Sequence, residues 1–178
     1  MAATPSPIRL SAPTSPGEVA AITLEFRWSV DRFGHRIEIG GQTVAESIDG
    51  DGGQDWPPSP PLQQLSLEEI DGRPTLLGVG SAGRCHWSVS VAALPTSIGC
   101  GFVFEWACRV KGLADPSTDR WLGSTYRIDR QRTDPQVFTP LGATRHAFDT
   151  SAGEVVLRPD GWDATTCWRY RVALPGGE

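Results

Sequence analysis

The sequence predicts an all-β fold: an antiparallel up-and-down β-barrel or two-sheet β-sandwich of about ten short strands, with little helix. Three observations predict it. Large apolar side chains alternate with polar ones through most of the chain, the period of a half-buried strand. Gly and Pro number 20 and 15 among 178 residues, too many for a helical bundle. No stretch carries an apolar stripe of helical length, and no apolar run approaches the ~18 to 20 residues of a membrane-spanning helix.

Residues 1–19 are rich in Pro, Ser, Thr and Ala, with Ile8, Leu10 and Val19 as the sizeable apolar side chains. That is too little burial to offset the cost of ordering the backbone, so a flexible tail is expected there, followed by a single antiparallel β domain over 20–178. In the first strand Leu24, Phe26, Trp28 and Val30 share one face and Glu25, Arg27 and Ser29 the other. Asp31 to Gly34 reads as a turn, and a second strand follows around His35 to Ile39. Gly40-Gly41 then has the chemistry of a two-residue hairpin turn, leading into Gln42 to Ile48.

The longest break in the pattern runs from Asp49 to Pro61. Beyond it, Leu65 and Leu67 alternate with polar neighbours, although the spacing of Leu62 and Leu65 also allows a short helix. Turns at Asp71-Gly72 and Ser81 to Gly83 bracket the strand TLLGVG. The next strand sets Cys85, Trp87, Val89 and Val91 against Arg84, His86, Ser88 and Ser90. Another sets Phe102, Phe104, Trp106, Cys108 and Val110 against Glu105, Arg109 and Lys111. Leu122, Ser124, Tyr126 and Ile128 align on a further strand. A hairpin is expected across Asp149 to Gly153, and a last strand carries Trp168, Tyr170, Val172 and Leu174 opposite Arg169 and Arg171.

The net charge of −5 disfavours nucleic acid and anionic membranes as partners, since both need a positive surface. Fifteen Arg stand against one Lys, and Asn is absent. This is the bacterial-like composition that codon choice in a GC-rich genome produces. Four cysteines at 85, 100, 108 and 167 form no C-x-x-C pair and have no His at zinc-finger spacing. With no signal-peptide pattern at the N-terminus, free thiols in a reducing cytoplasm are expected.

Motifs with direct chemistry are few. Asp49, Asp51 and Asp55 fall at positions 1, 3 and 7 of a calcium-loop frame. Gln54 and Pro60, however, occupy the places that need Gly and a carboxylate. His35, His86 and His146 sit on separate strands without an H-x-H or H-E-x-x-H pattern. Residues 78–83 spell G-x-G-x-x-G, but a strand follows where a phosphate loop needs a helix N-terminus. No metal, cofactor or catalytic residue is therefore expected, and the chain leans away from being an enzyme.

The leading expectation is a module that binds a small molecule or protein partner. It would use the loop aromatics Trp56, Trp121 and Trp162, with Arg84 and His86 as polar contacts. A second reading is an enzyme or binder of a phosphorylated or carboxylate ligand inside a barrel lumen, where Arg27, Arg109, Arg127, Arg169 and Arg171 grip the charge and Glu25 or Glu105 handles a metal or proton. Energetics oppose it: each large apolar side chain turned outward would forfeit about 1.5 to 3 kcal/mol, so the aromatic face should be the core. A third reading is a structural or assembly protein, which an exposed apolar patch would support.

Overall fold

Two antiparallel sheets pack face to face as a β-sandwich, and they do not close into a barrel. In this computed structural model the described residues are 4–14, 20–111, 122–129, 131, 134–149, 151–161 and 163–174. The first sheet opens with a meander of β1 (Ile8–Ser11), β2 (Ile22–Ser29), β3 (Arg32–Ile39) and β4 (Gln42–Ser47). The second opens with another, β5 (Gln64–Ile70), β6 (Arg73–Ala82), β7 (Cys85–Ala93) and β8 (Gly101–Val110).

The remaining strands shuttle between the two. β9 (Ser124–Ile128), β11 (Thr144–Asp149) and β12 (Glu154–Pro159) join the first sheet, in the order β1-β2-β3-β4-β9-β12-β11. β10 (Phe138–Leu141), which follows a 3-10 turn at Pro135–Val137, and β13 (Thr165–Ala173) join the second, in the order β10-β13-β8-β7-β6-β5.

The alternation read from the sequence sets the register of the core. Leu24, Phe26 and Ile37 of the first sheet, and Phe102, Phe104 and Val172 of the second, are wholly buried in one shared cluster. Along the β8–β13 pair of the second sheet the inward rings stack: Trp106 lies parallel to Trp168 at 5.8 Å and Phe104 parallel to Tyr170 at 4.9 Å. Such pairs stabilise beyond the area they bury.

A polar chain crosses this apolar interior. Trp106 Nε1 donates to the Tyr170 hydroxyl at 3.1 Å, Tyr170 meets the Tyr126 hydroxyl at 2.6 Å, and Tyr126 meets His35 Nε2 at 2.8 Å. Every member is buried, so the hydrogen bonds answer the cost of enclosing these groups. Burial pushes His35 down to about 3, so the ring stays neutral.

Three local expectations differ from the structure. Ile8–Ser11 belong to an edge strand paired with β2, with Leu10 and Ala12 buried, where a tail over 1–19 was expected. The open edge of β2 supplies the template that residues 8–11 lack on their own, and Arg9 donates to Glu25 at 2.8 Å. Leu10→Asp is accordingly expected to cost about 2 to 4 kcal/mol in urea denaturation, the penalty of a charge placed in the core. An unchanged midpoint would mean that β1 adds nothing to the fold.

Val30 leaves the apolar face. It turns the chain at φ 60° and is 94% exposed, so β3 begins at Arg32 and not after Gly34. β10 completes the second sheet at a segment without a strand signal, because FTPL contains a proline.

The barrel lumen also has no counterpart, since the sheets stay open. Arg27, Arg109, Arg127, Arg169 and Glu105 are exposed on outer faces, and Arg171 is half-buried. They are divided between two sheets. Arg169 and Glu105 form a cross-strand ion pair at 2.8 Å, each about half exposed. Glu25 is the exception at 2% exposure.

Candidate functional site: a cleft on the second sheet

Antiparallel pairing brings Ser81, His86, Arg109 and Thr165 into one row across β6, β7, β8 and β13. The neighbouring row is Val79, Ser88, Ala107 and Cys167. Both lie on the outer face of the second sheet, because their chain neighbours fill the core. Long side chains in the first row stand beside Ala and Ser in the second. The result is a cleft of about 510 Å³ floored by Val79, Ser88 and Ala107.

The segment between the sheets forms one wall. Phe33 N donates to the Leu62 carbonyl at 2.7 Å, which ties this segment to the first sheet. Gln63 then bonds Ser81 twice, with its Nε2 donating to the carbonyl at 2.9 Å and its Oε1 accepting from the amide at 2.8 Å. The Gln63 amide thus extends the sheet edge past β5, while Gln64 opposite Val79 faces the cleft. Gly80 allows the crossing, since a Cβ there would collide with the Pro61 carbonyl.

The cleft is donor-rich. Its wall carries the Arg109 guanidinium, the His86 imidazole, the Gln64 amide and three hydroxyls, and none of its 11 lining residues is acidic. Most arginines with a nearby carboxylate are engaged: Arg9, Arg27 and Arg36 on Glu25, Arg32 on Asp31, Arg169 on Glu105 and Arg145 on Asp160. Arg109 has no such partner among the described residues. Exposed Arg84 and Lys111 are joined through their backbones at 2.9 Å at the same end of the β7–β8 pair and add positive charge.

Of the side chains named from the sequence, His86 lines this cleft and Arg84 sits in the adjoining turn. Trp56 is half-buried against the core. Trp121 and Trp162 lie outside the described residues. Arg109, assigned from the sequence to the lumen set, stands beside His86 instead. Gln64, Ser81, Ser88 and Thr165 were not singled out, since only strand pairing reveals that they meet.

A second, smaller concavity of about 290 Å³ lies on the outer face of the first sheet, between β2, β3 and the end of β4. Glu25 forms its base, ion-paired to Arg9 and Arg36, both at 2.7 Å, and to Arg27. Burial would raise the Glu25 carboxyl, but hydrogen bonds from Arg27 and Arg9 and the charge of Arg36 hold it below its ordinary value. Asp49 closes the rim, its carboxyl set over Gly34, where any Cβ would strike it. Burial pushes Asp49 up to about 7 and repulsion from Glu46 adds to this, against the Ser47 hydroxyl and the charge of Arg32.

All four cysteines are free, with Cys85, Cys100 and Cys108 buried and Cys167 exposed. Among the described residues no group of three His, Cys, Asp or Glu side chains converges to hold a metal ion, and no helix is long and apolar enough to cross a membrane. The chain matches no family model, no curated protein and no solved structure, so the geometry of these two concavities stands as the basis for a functional reading.

Proposed function

We propose that the protein is a binding module whose cleft on the second sheet holds a small ligand bearing a carboxylate or phosphate. The observation that supports this most is Arg109: a guanidinium with no carboxylate partner among the described residues, flanked by His86 and by hydroxyl donors, in a concavity whose described lining has no acidic residue. A guanidinium offers a planar fork of donors that matches either anion in two parallel hydrogen bonds. The floor of Val79 and Ala107 accommodates an apolar portion of the same molecule, the usual division of labour in a ligand site.

The test is titration with inorganic phosphate, citrate and a nucleoside monophosphate, read by calorimetry and by tryptophan fluorescence, because Trp87 borders the cleft. At least one should bind saturably and more weakly as salt rises. Arg109→Gln should lower that affinity by about tenfold or more, as expected for a lost charge-assisted pair, with thermal stability unchanged. Absence of saturable binding by all three, or equal affinity in the variant, overturns the proposal.

A further inference from the structure

The concavity on the first sheet is chemically unlike the cleft. Its guanidiniums are already committed: Arg27 and Arg36 contact Glu25, and Arg36 also reaches Glu38 at 2.9 Å. No cation is left over for an anion. Nor do its carboxylates converge as metal ligands.

What it presents is an interleaved set of donors and acceptors. Ser29, Arg27 and Arg36 stand with Glu46 and Asp49 around Trp28. The Trp28 ring packs edge-on against Phe33 at 5.0 Å, and its Nε1 donates to the Val30 carbonyl at 3.1 Å, so it is held in place. Asp49 has a hydroxyl partner in Ser47 but no ion pair, and its backbone carbonyl is fixed by Arg32 at 3.0 Å. A half-buried carboxyl with no ion pair among the described residues, beside a fixed indole, suits a partner that both donates and accepts hydrogen bonds and carries no charge.

We infer that this pocket is a second site, for a neutral polyhydroxylated ring of monosaccharide size, with Asp49 and Glu46 bonding its hydroxyls and Trp28 covering an apolar face. The volume of about 290 Å³ is at the small end for ligand pockets, which fits one ring and not a chain. Asp49 keeps its proton up to about pH 7, so it donates to a hydroxyl in acid and only accepts above that. The titratable and charged groups around it are Glu25 and Arg27 on β2, Arg32, His35 and Arg36 on β3, and Glu46 on β4, with Tyr126 on β9 behind His35. Burial keeps His35 neutral at the pH of the test.

The full chain is titrated at pH 6 with the methyl glycosides of glucose, galactose, mannose and N-acetylglucosamine, by saturation-transfer NMR and calorimetry. At least one should bind saturably. Glu46→Gln and Asp49→Ala should each weaken it by about fivefold or more, whereas Arg109→Gln should leave it unchanged. Should Asp49→Ala fail to fold by circular dichroism, Glu46→Gln carries the comparison alone, because Glu46 is exposed. No saturable binding by any glycoside overturns the inference. Binding that Arg109→Gln abolishes also overturns it, by moving the sugar to the cleft.

Discussion

Trp168→Ala is expected to lower the free energy of unfolding by about 3 to 5 kcal/mol, the range for emptying a large aromatic site that cannot collapse. Trp168 is 2% exposed and lies parallel to Trp106. Its Nε1 donates across the interface to Ser124 Oγ at 3.0 Å, so one side chain of the second sheet is bonded to the first. Truncation leaves a void in the ring stack and takes a donor from a buried hydroxyl. Trp168→Phe keeps most of the ring and loses only the donor, so it should cost about 1 to 2 kcal/mol. Urea denaturation with unchanged m-values gives both figures. A loss below about 1 kcal/mol for the alanine variant would show that the interface repacks, contrary to the close packing of protein cores.

Asp49→Asn should stabilise the protein above neutral pH and matter little in acid. The sign follows from the direction of the shift. The folded protein holds the Asp49 proton up to about pH 7, whereas the unfolded chain releases it near 3.8. The group therefore costs nothing below pH 3.8, where both states are protonated. Stability falls as pH rises between the two values, and the full cost is present above pH 7. A rise from 3.8 to about 7 corresponds to about 4 kcal/mol; water entering from the concavity reduces this to about 2.

Asparagine has no such proton, so the difference between variant and wild type should open as pH rises from about 4 to about 7 and stay constant above that in urea midpoints. Glu25 acts in the opposite sense, because its lowered carboxyl gives stability that is lost in acid. Only the difference between variant and wild type isolates Asp49. Parallel profiles for the two proteins would show that the carboxyl is solvated in the folded state.

Much of this architecture was legible because a strand between a core and water writes its orientation into every second residue. The inward sets of β7, β8, β9 and β13 follow the alternation residue by residue, from Cys85 to Trp168. What escaped depends on partners. Ile8–Ser11 is too short to persist as a strand without the β2 edge, and Phe138–Leu141 carries a proline that an edge position beside β13 accommodates.

The candidate sites were harder to read for a related reason. His86 and Arg109 were each visible as polar-face residues, but their adjacency exists only through the β7–β8 register. Asp49 sits in a loop whose sequence suggests solvated carboxylates. Its environment comes from Gly34 and Glu46, 15 and three positions away, and no local pattern encodes that.

The placement of β13 has a consequence for how the molecule is assembled. It comes last in sequence among the described strands, yet it lies inside its sheet, between β8 and β10. A ribosome therefore releases every other strand before the one that closes this gap. Until then the edge of β8 is bare, and Phe104 and Trp106 lack the rings of Tyr170 and Trp168 that cover them. Such a nascent chain displays a sticky seam that any foreign strand with the right alternation can occupy. Completion of the sandwich is thus a race between β13 and the molecule's neighbours in the crowd.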